Sequence, residues 1–592
     1  MSTLHFSPRA NRAAEIHWQQ WGDAAFARAA EENKPVLLAI SAVWCHWCHV
    51  MDETSYSDPA IITQINERFV PVRVDNDQRP DVNARYNMGG WPTTALLTPE
   101  GEVLYGGTYI PPEALMQILR QVEALYGDPD NRRSITEQVV QMRTARLGRS
   151  RTPRGGDLDP NTAANVAAEL WSAFDQEYGG FGTDQKFPHV SALHFLLDLF
   201  SRTHAELAQV MVQRSLQAMA GGGMYDHVQG GFFRYSTTRD FSVPHFEKML
   251  EDNAGLLYAC ARAGAMFDDA RLRQTAIDVK RYLDEHLWND AWQAYGGSQD
   301  ADEHYYTLDA GARAQLPEPY VDRTVYSSWN AQVAIALLAS APLLERDGVE
   351  VSAWTARGCA ILETLFGRML EERLLCRYFD GAPHVRGLLG DQAWGAWAAL
   401  IAFGATGEPR WLERCGDLIA AMRVLYDEQS DAYLDRLPGG DGAGRVAIAL
   451  TPFEENALMA RVLLGYAAAS GYQVFAQQAE AMLRRYARDY RSHGLFGAGY
   501  AAAALDVLEP PIDVHVLGAP NDRLAAALRA TALRVTSPPL RIDTIDPAAS
   551  KQRAEEFGPA VGVQALLCRG SVCFARAASP TELESALAGV KT

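Results

Sequence analysis

Between residues 20 and 125 the apolar positions switch repeatedly between a helical and a strand period. "WGDAAFARAAEENK" is helical, "PVLLAI" is an apolar run of strand length, and "DPAIITQINERF" is helical again. "VPVRVD", "TTALLTP" and "EVLYGG" supply further strands before the helix "PEALMQILRQVEALYG". The order is α-β-α-β-β-β-α. A helix between two apolar strands asks for a parallel crossover, whereas "TPEGEV" marks an antiparallel hairpin. A mixed sheet of about four strands with helices on both faces follows.

Residues 126–158 begin polar, carry one helical piece and end basic and Gly/Pro-rich, the pattern of a linker. From 159 to 505 eleven helical stretches follow one another, from "NTAANVAAELWSAFD" to "YQVFAQQAEAMLRRYARDY", and the loops are long enough to hide a twelfth. Acid, small residues and an aromatic recur between them as "FDQEYGGFG" (174–182), "YDHVQGGFF" (225–233), "WNDAWQAYGG" (288–297) and "YDEQSDAYLD" (426–435). Helical hairpins punctuated this way predict a closed ring with its functional mouth at those loops. From 506 onward strands return: "IDVHVLG", "LRIDTID" and the hairpin "VGVQALLC" with "SVCFARA", interleaved with helices.

The length of 592 residues allows three or four domains at about 150 residues each. A net charge of -19 repels phosphate backbones and anionic lipid, so neither nucleic acid nor membrane is an expected partner. The N-terminal "MSTLHFSPRANRAAEIHWQQWGD" has no apolar export core and no stretch reaches eighteen apolar residues, which predicts a cytoplasmic protein. Eight cysteines are too few for a disulfide scaffold; Cys260, Cys359, Cys376 and Cys415 read as small core residues.

The remaining cysteines are paired in sequence. "SAVWCHWCHVM" (41–51) matches a c-type haem attachment site, but that belongs to exported proteins. A zinc site lacks a second ligand pair nearby, and a buried aromatic knot leaves the cysteine spacing unexplained. Thiol–disulfide chemistry explains position as well as composition. The pair follows the strand "PVLLAI" and opens a helix, where backbone N–H groups and the helix dipole stabilise a thiolate. Cys45 would attack and Cys48 resolve, with Trp44, His46 and His49 tuning the thiolate. Pro92 in "GGWPTT" stands just before a strand, where a thioredoxin-like sheet places a cis-proline facing the pair. No metal and no cofactor is expected.

Longer motifs carry a resemblance. "WCHWCHVM" (44–51), "RPDVNARY" (79–86), "GGWPTTALLTPEGEVLYGGTYIPPE" (89–113), "KFPH" (186–189), "GGGMYDHVQGGFFRYSTTRDFSVPHFEKMLEDNA" (221–254) and "SSWNAQVAIALLA" (327–339) resemble the large thioredoxin-domain proteins related to spermatogenesis-associated protein 20. The resemblance runs to "CRGSVCFARAASPTEL" (568–583). It implies a multidomain α/β plus all-α protein: a DsbH-like thioredoxin domain (1–125), the linker (126–158), an (α/α)6 toroid similar to six-hairpin glycosidases and N-acylglucosamine 2-epimerases (159–505), and a small α/β subdomain (506–592). It brings no settled activity. The chain departs from the family pattern after "RPDVNARY", where only Asn87 and Met88 remain before "GGWP", and in the shortened "GGSQDADEHYYTLD".

Residues 221–254 gather Tyr225, Asp226, His227, Arg234, His245, Glu247 and Asp252, more polar and aromatic groups than a helix connection needs. On a helix starting near Pro244, His245, Met249 and Asp252 would share a face. Such groups suit glycoside hydrolysis by two carboxylates, or epimerisation by proton transfer on both faces of a carbon. The alternative is that they tie the loop down, for instance through a Lys248–Asp252 pair. On the family-like motifs Asp300, Asp302, Trp329 and Asn330 line the same cavity. Cys568 and Cys573 face each other across a predicted hairpin turn, a candidate second redox pair and a candidate substrate for Cys45 and Cys48. The expected partners are a protein thiol or disulfide and a carbohydrate-like small molecule. The leading expectation is an oxidoreductase module fused to a ligand-binding toroid; the others are a carbohydrate-active enzyme with a regulatory thioredoxin domain, and a non-catalytic scaffold.

Overall fold

The structure, a computed structural model, describes residues 4–150, 155–439, 442–558, 562–570 and 572–590. It divides into two compact units, Met1–Pro153 with Leu434–Thr451, and Arg154–Tyr433 with Pro452–Thr592. Among the described residues no helix is long and apolar enough to cross a membrane.

The first unit is built on four strands, β1 Val36–Ser41, β2 Val70–Asp75, β3 Thr93–Leu97 and β4 Val103–Gly107, in the spatial order β2-β1-β3-β4. β1 and β2 are parallel, while β3 pairs antiparallel with both β1 and β4. Helices α1 Asp23–Glu32, α2 His46–Glu53, α3 Pro59–Arg68, α4 Pro80–Tyr86, α5 Pro112–Gly127 and α6 Pro129–Ser150 complete it. β1 reads as a continuous apolar run because both faces of the sheet are covered. Val36, Leu38 and Ile40 pack with Phe26, Val82 and Tyr86, whereas Leu37 and Ala39 pack with Ile61, Ile65, Leu115 and Leu119. α3 starts where it does because Pro59 fixes its first turn and the Asp58 carboxylate accepts from the N–H groups of Ala60 and Ile61.

Two features of this unit lie beyond the sequence pattern. The helical piece expected within the linker is α6, and it packs on α5, so that part of the stretch is not a free connection. Residues Leu434–Thr451, expected within the toroid, belong to this first unit. Arg85 bonds Asp435 at 2.7 Å, Arg436 bonds Asp81 at 2.9 Å, and Arg445 bonds Glu102 at 2.9 Å. Ala443 and Val446 join the core around Val82 and Tyr86.

The second unit contains the ring. Its inner helices are Val190–Thr203, Leu250–Met266, Ser327–Leu344, Leu389–Thr406, Phe453–Ser470 and Ala498–Leu508; each packs on the next and the last packs on the first. Each has an outer partner: Glu206–Gly221, Ala270–Tyr282, Val351–Arg368, Pro409–Ala421, Val474–Tyr486 and, closing the circle, Thr162–Ala173. One outer helix separates successive inner helices, so all inner helices run the same way and their N-termini share one mouth. The twelfth helix, Ala498–Leu508, escapes pattern reading because Ala498 and Tyr500–Asp506 are all buried, leaving no polar face to set a period.

The described residues between 512 and 588 form a small α/β subdomain, which lies at the other end of the inner helices. Arg529 donates to Ala405 O, Ser537 to Ser201 O and Arg553 to Ala468 O, each near an inner helix's C-terminus. Inside the ring above that end, Asp198 bonds Arg262 at 2.8 Å and Arg461 at 3.0 Å, while Asp506 bonds Arg461 at 2.8 Å and Arg202 at 2.6 Å. These ion pairs tie four inner helices together.

Candidate functional site

The sulfurs of Cys45 and Cys48 are bonded to each other, and the pair sits where β1 gives way to α2. Cys45 is the N-cap: the Cys48 N–H of the first turn is shared between Cys45 O at 3.0 Å and the Cys45 sulfur at 3.2 Å, so a backbone donor already reaches the atom that would carry thiolate charge. Trp44 is buried, donates Nε1–H to Asp77 at 2.7 Å and meets Trp91 edge-on at 5.7 Å. Pro92 follows Trp91 through a cis peptide bond. It directly precedes Thr93, the register partner of Ile40, which brings it to the end of the sheet where the cysteine loop begins. Trp47 is half exposed and meets Tyr109 at 5.3 Å, giving the cysteine helix an aromatic outer face.

His49 is not the cationic tuner expected from sequence. Burial lowers its pKa, the carboxylate of Asp52 opposing only in part, and its Nε2 lies 2.9 Å from Val43 O. A neutral, clamped ring there holds the loop before Cys45. His46, at the helix start, is half-buried with its ring edge-on to Trp47.

In the ring, the four recurring loops each lead from an outer helix to the next inner one, so they lie at the mouth end. The acids in the first two are structural. Asp175 accepts from the N–H groups of Glu177 and Tyr178 and pairs with the fully buried Lys186, which also donates to Gly179 O. Asp226 repeats this set with Val228, Gln229, Lys248 and Gly230, and bonds Arg313 at 2.8 Å where Asp175 bonds Arg239. Lys248 therefore serves Asp226, not Asp252. Tyr225, also buried, bridges to Phe232 across the same turn.

Asn330 and Trp329 are likewise inside the wall. The fourth residue of four successive inner helices is an amide clamp. Asn330 accepts from Tyr295 N–H and donates to Tyr295 O and Tyr326 O. Asn253 treats Phe232 and Met249 in the same way, Gln392 treats Leu375 and Leu388, and Asn456 treats Tyr433 and Pro452. Each clamp satisfies the loop backbone that the helix's first turn cannot reach. Trp329 is 3% exposed and packs on Tyr326 and beneath the Arg377 guanidinium, so it has no face left for a ligand. Asp300 is buried with its carboxylate on Ala301 N–H, and Asp302 caps a short helix through Tyr305 N–H. His227 is exposed and bonds Gly222 O.

Four predicted residues do come together. Arg234, His245 and Asp252 are half-buried around the buried Glu247. Glu247 lies 3.0 Å from His245 Nδ1, without hydrogen-bond alignment, and 3.6 Å from Arg234. Asp252 is pushed up to about 6, chiefly by desolvation and further by the Glu247 charge, against the pull of Arg234. This grouping does not come from a shared helix face. Residues 244–245 pair with 235–236 and 248–249 pair with 298–299 as short strands, and the helix begins only at Leu250. Pro244 favours this extended path.

The sequence reading missed the rings beside this group: Tyr235 stacks on His245 at 5.1 Å and Phe187 stacks on Tyr235 at 4.7 Å. Other mouth carboxylates were missed because each sits on a different inner helix. Asp391 is buried against Arg377 with one oxygen unpartnered, and burial raises its pKa. Glu454 is exposed, and desolvation with the neighbouring Glu455 charge pushes it up to about 7.

The third site is the bonded pair Cys568–Cys573, joining the two strands of the terminal hairpin.

A thioredoxin-like domain with a Cys-x-x-Cys pair opening a helix, in one chain with an (α/α)6 ring, defines the class. Residues 7–146 match the DsbH-type thioredoxin family model, described as "Protein of unknown function, DUF255". The chain is similar to spermatogenesis-associated protein 20 of Homo sapiens, 36% identical over 343 residues, which covers 52% of this chain and 43% of that protein. Against its Mus musculus counterpart the identity is 35% over 344 residues, with the same coverage of 52% and 43%. The chain thus spans less than half the length of the curated relatives it matches. Among solved structures, a sugar epimerase from a ruminal bacterium gives 13% identity and a TM-score of 0.44, covering 55% of this chain and 87% of that one. Cellobiose 2-epimerase from Spirochaeta thermophila gives 16% and 0.43, covering 54% and 83%.

Proposed function

We propose that Cys45 and Cys48 form a thiol–disulfide exchange centre acting on a protein thiol or disulfide in the cytoplasm, and that the ring's mouth binds a polar, carbohydrate-like ligand. The observation that carries the first part is the N-cap geometry, with Cys48 N–H directed at the Cys45 sulfur. Cys45 is the attacking sulfur and Cys48 resolves the mixed disulfide. A glutathione redox titration of the full chain, read by alkylation and peptide mapping, tests it. The expected result is a reversible Cys45–Cys48 couple with a midpoint between about -120 and -300 mV, the span of thioredoxin-like pairs. A pair that stays wholly oxidised or wholly reduced over that range overturns it.

The second part rests on the grouping of Arg234, His245, Glu247 and Asp252 beside the Phe187–Tyr235–His245 stack. Guanidinium, carboxylates and a stacked aromatic edge are what a polar ring-shaped ligand needs. A carbohydrate-active enzyme is the second reading, favoured by Asp252, whose pKa, raised to about 6, lies closer to neutral pH than an ordinary carboxylate's and suits proton transfer. Incubation with a panel of monosaccharides and glycosides, wild type against Asp252→Asn and His245→Ala, separates binding from turnover. Product formed by wild type and lost in both variants supports an enzyme; saturable binding with no product supports a binding role; neither one refutes both.

A further inference from the structure

The C-terminal subdomain repeats the sheet of the first unit. Strand Ile512–Leu517 lies parallel to Leu540–Ile545, antiparallel to Gln564–Arg569 on its other side, and the last hairpin partner is Val572–Ala577. This is the order and sense of β2-β1-β3-β4. As in the first unit, the crossover helix, here Arg523–Leu533, and the final helix, here Pro580–Ala588, pack together on one face. What differs is where the cysteines stand. The helix after the first strand is capped by Asp522, where α2 is capped by Cys45, and the cysteines sit instead on the terminal hairpin.

The two sulfurs of that hairpin pair have unlike surroundings. Cys573 lies on the edge strand, exposed between the exposed side chains of Val572 and Phe574. Cys568 is 1% exposed and packs with Leu517, Leu566 and Phe557. It stands directly opposite Asp513, which is ion-paired with Arg541 at 2.7 Å. One position pair along the same face is His515, ion-paired with Asp543 at 2.9 Å and 4.6 Å from the Phe557 ring. Directly opposed residues of antiparallel strands project to the same side, so Cys568 neighbours ionised groups.

We propose that Cys568–Cys573 is a second thiol–disulfide centre, with Cys573 the sulfur attacked by an incoming Cys-x-x-Cys dithiol and Cys568 the leaving sulfur. The dithiol supplied by this protein is Cys45/Cys48, so the identity of the partner rests on the exchange chemistry proposed above. The Cys45 thiolate bonds to Cys573 Sγ as the Cys573–Cys568 bond breaks, and the electron pair leaves on Cys568, which takes up a proton. Cys48, its proton lost to solvent, then attacks Cys45 Sγ and frees Cys573, which is protonated in turn. Two electrons pass from Cys45/Cys48 to Cys573/Cys568, and the first pair ends as a disulfide.

Two full-length variants test this. Cys568→Ser/Cys573→Ser, reduced with dithiothreitol and desalted, is mixed at equal concentration with oxidised Cys45→Ser/Cys48→Ser, then alkylated and peptide-mapped. The expected result is loss of roughly half or more of the Cys568–Cys573 disulfide, matched by an equal gain of Cys45–Cys48 disulfide. Single Cys48→Ser protein provides a second readout, because without its resolving thiol a Cys45–Cys573 crosslinked peptide accumulates. A Cys568–Cys573 disulfide unchanged in the mixture, or a crosslink only to Cys568, overturns the proposal. The two readings fail separately. If Cys45–Cys48 titrates in glutathione while Cys568–Cys573 stays oxidised throughout, only this one falls; if Cys45–Cys48 does not titrate, the exchange partner falls, and dithiothreitol reduction of the second pair decides whether it is a redox centre.

Discussion

Asp252 offers a direct measure of how far the ring's mouth is built against its own stability. Its pKa of about 6, against an ordinary value of 3.8, means the folded chain holds this proton more tightly than the unfolded chain. Folding therefore takes up a proton between roughly pH 4 and 6, and stability falls as pH rises through that window, with the full penalty present above it. A shift of about two units corresponds to ~3 kcal/mol, and the partial solvent access of the side chain brings this to ~1–2 kcal/mol. Asp252→Asn removes the charge and keeps the shape. At pH 7.5 the variant should be more stable than wild type by about 1–2 kcal/mol, and at pH 4 the two should coincide. With an unfolding entropy of about 2.1 cal/mol/K per residue, a unit of this size should melt roughly 1–2 °C higher. Calorimetry of both proteins from pH 4 to 8 checks it. A variant no more stable at pH 7.5, or equally stabilised at pH 4, would refute the argument that desolvation and Glu247 raise the pKa of Asp252.

Three further outcomes follow from the same structure. Asn456→Ala should cost about 2–4 kcal/mol in denaturant unfolding of the ring, since it removes the side-chain partner of both the N–H and the C=O of Tyr433, while Pro452 O keeps the backbone N–H of residue 456; a cost below ~1 kcal/mol would show that the clamp is idle. Lys186→Met should cost about 3 kcal/mol, the low end for breaking a buried pair, because Arg239 still bonds Asp175; wild-type stability in that variant would count against a shared turn module. His515 is lowered by burial but raised on balance by Asp543 and Asp513, so its stabilisation is complete below about pH 6.5 and lost as pH rises through its higher folded value. His515→Gln should flatten the pH dependence of stability above 6.5, and an unchanged slope would remove the ion pair from the account.

The strands of both α/β sheets, eleven of the ring helices and the Cys45–Cys48 site were legible because each is specified locally. An apolar run, a 3.6-residue period or a cysteine pair opening a helix needs only its neighbours to be recognised. The helix Ala498–Leu508 was not legible, since complete burial erases the polar positions that mark a period. Pro244 to Met249 read as helix, but pairing with 235–236 and 298–299 holds it extended.

The toroid site shows the boundary between the two kinds of information most sharply. The sequence alone placed acids, histidines and aromatics in the right loops, because residue type and loop position are local properties. It could not say that Asp226, Trp329 and Asn330 are spent on the wall while Arg234, His245, Glu247 and Asp252 gather. Those roles depend on partners between two and 87 positions away, such as His245 with Glu247 and Asp226 with Arg313. The same holds for Cys568. Its pairing with Cys573 could be expected from the hairpin, but its place opposite Asp513 is fixed by strand register across 55 residues of chain, and only the tertiary fold sets that.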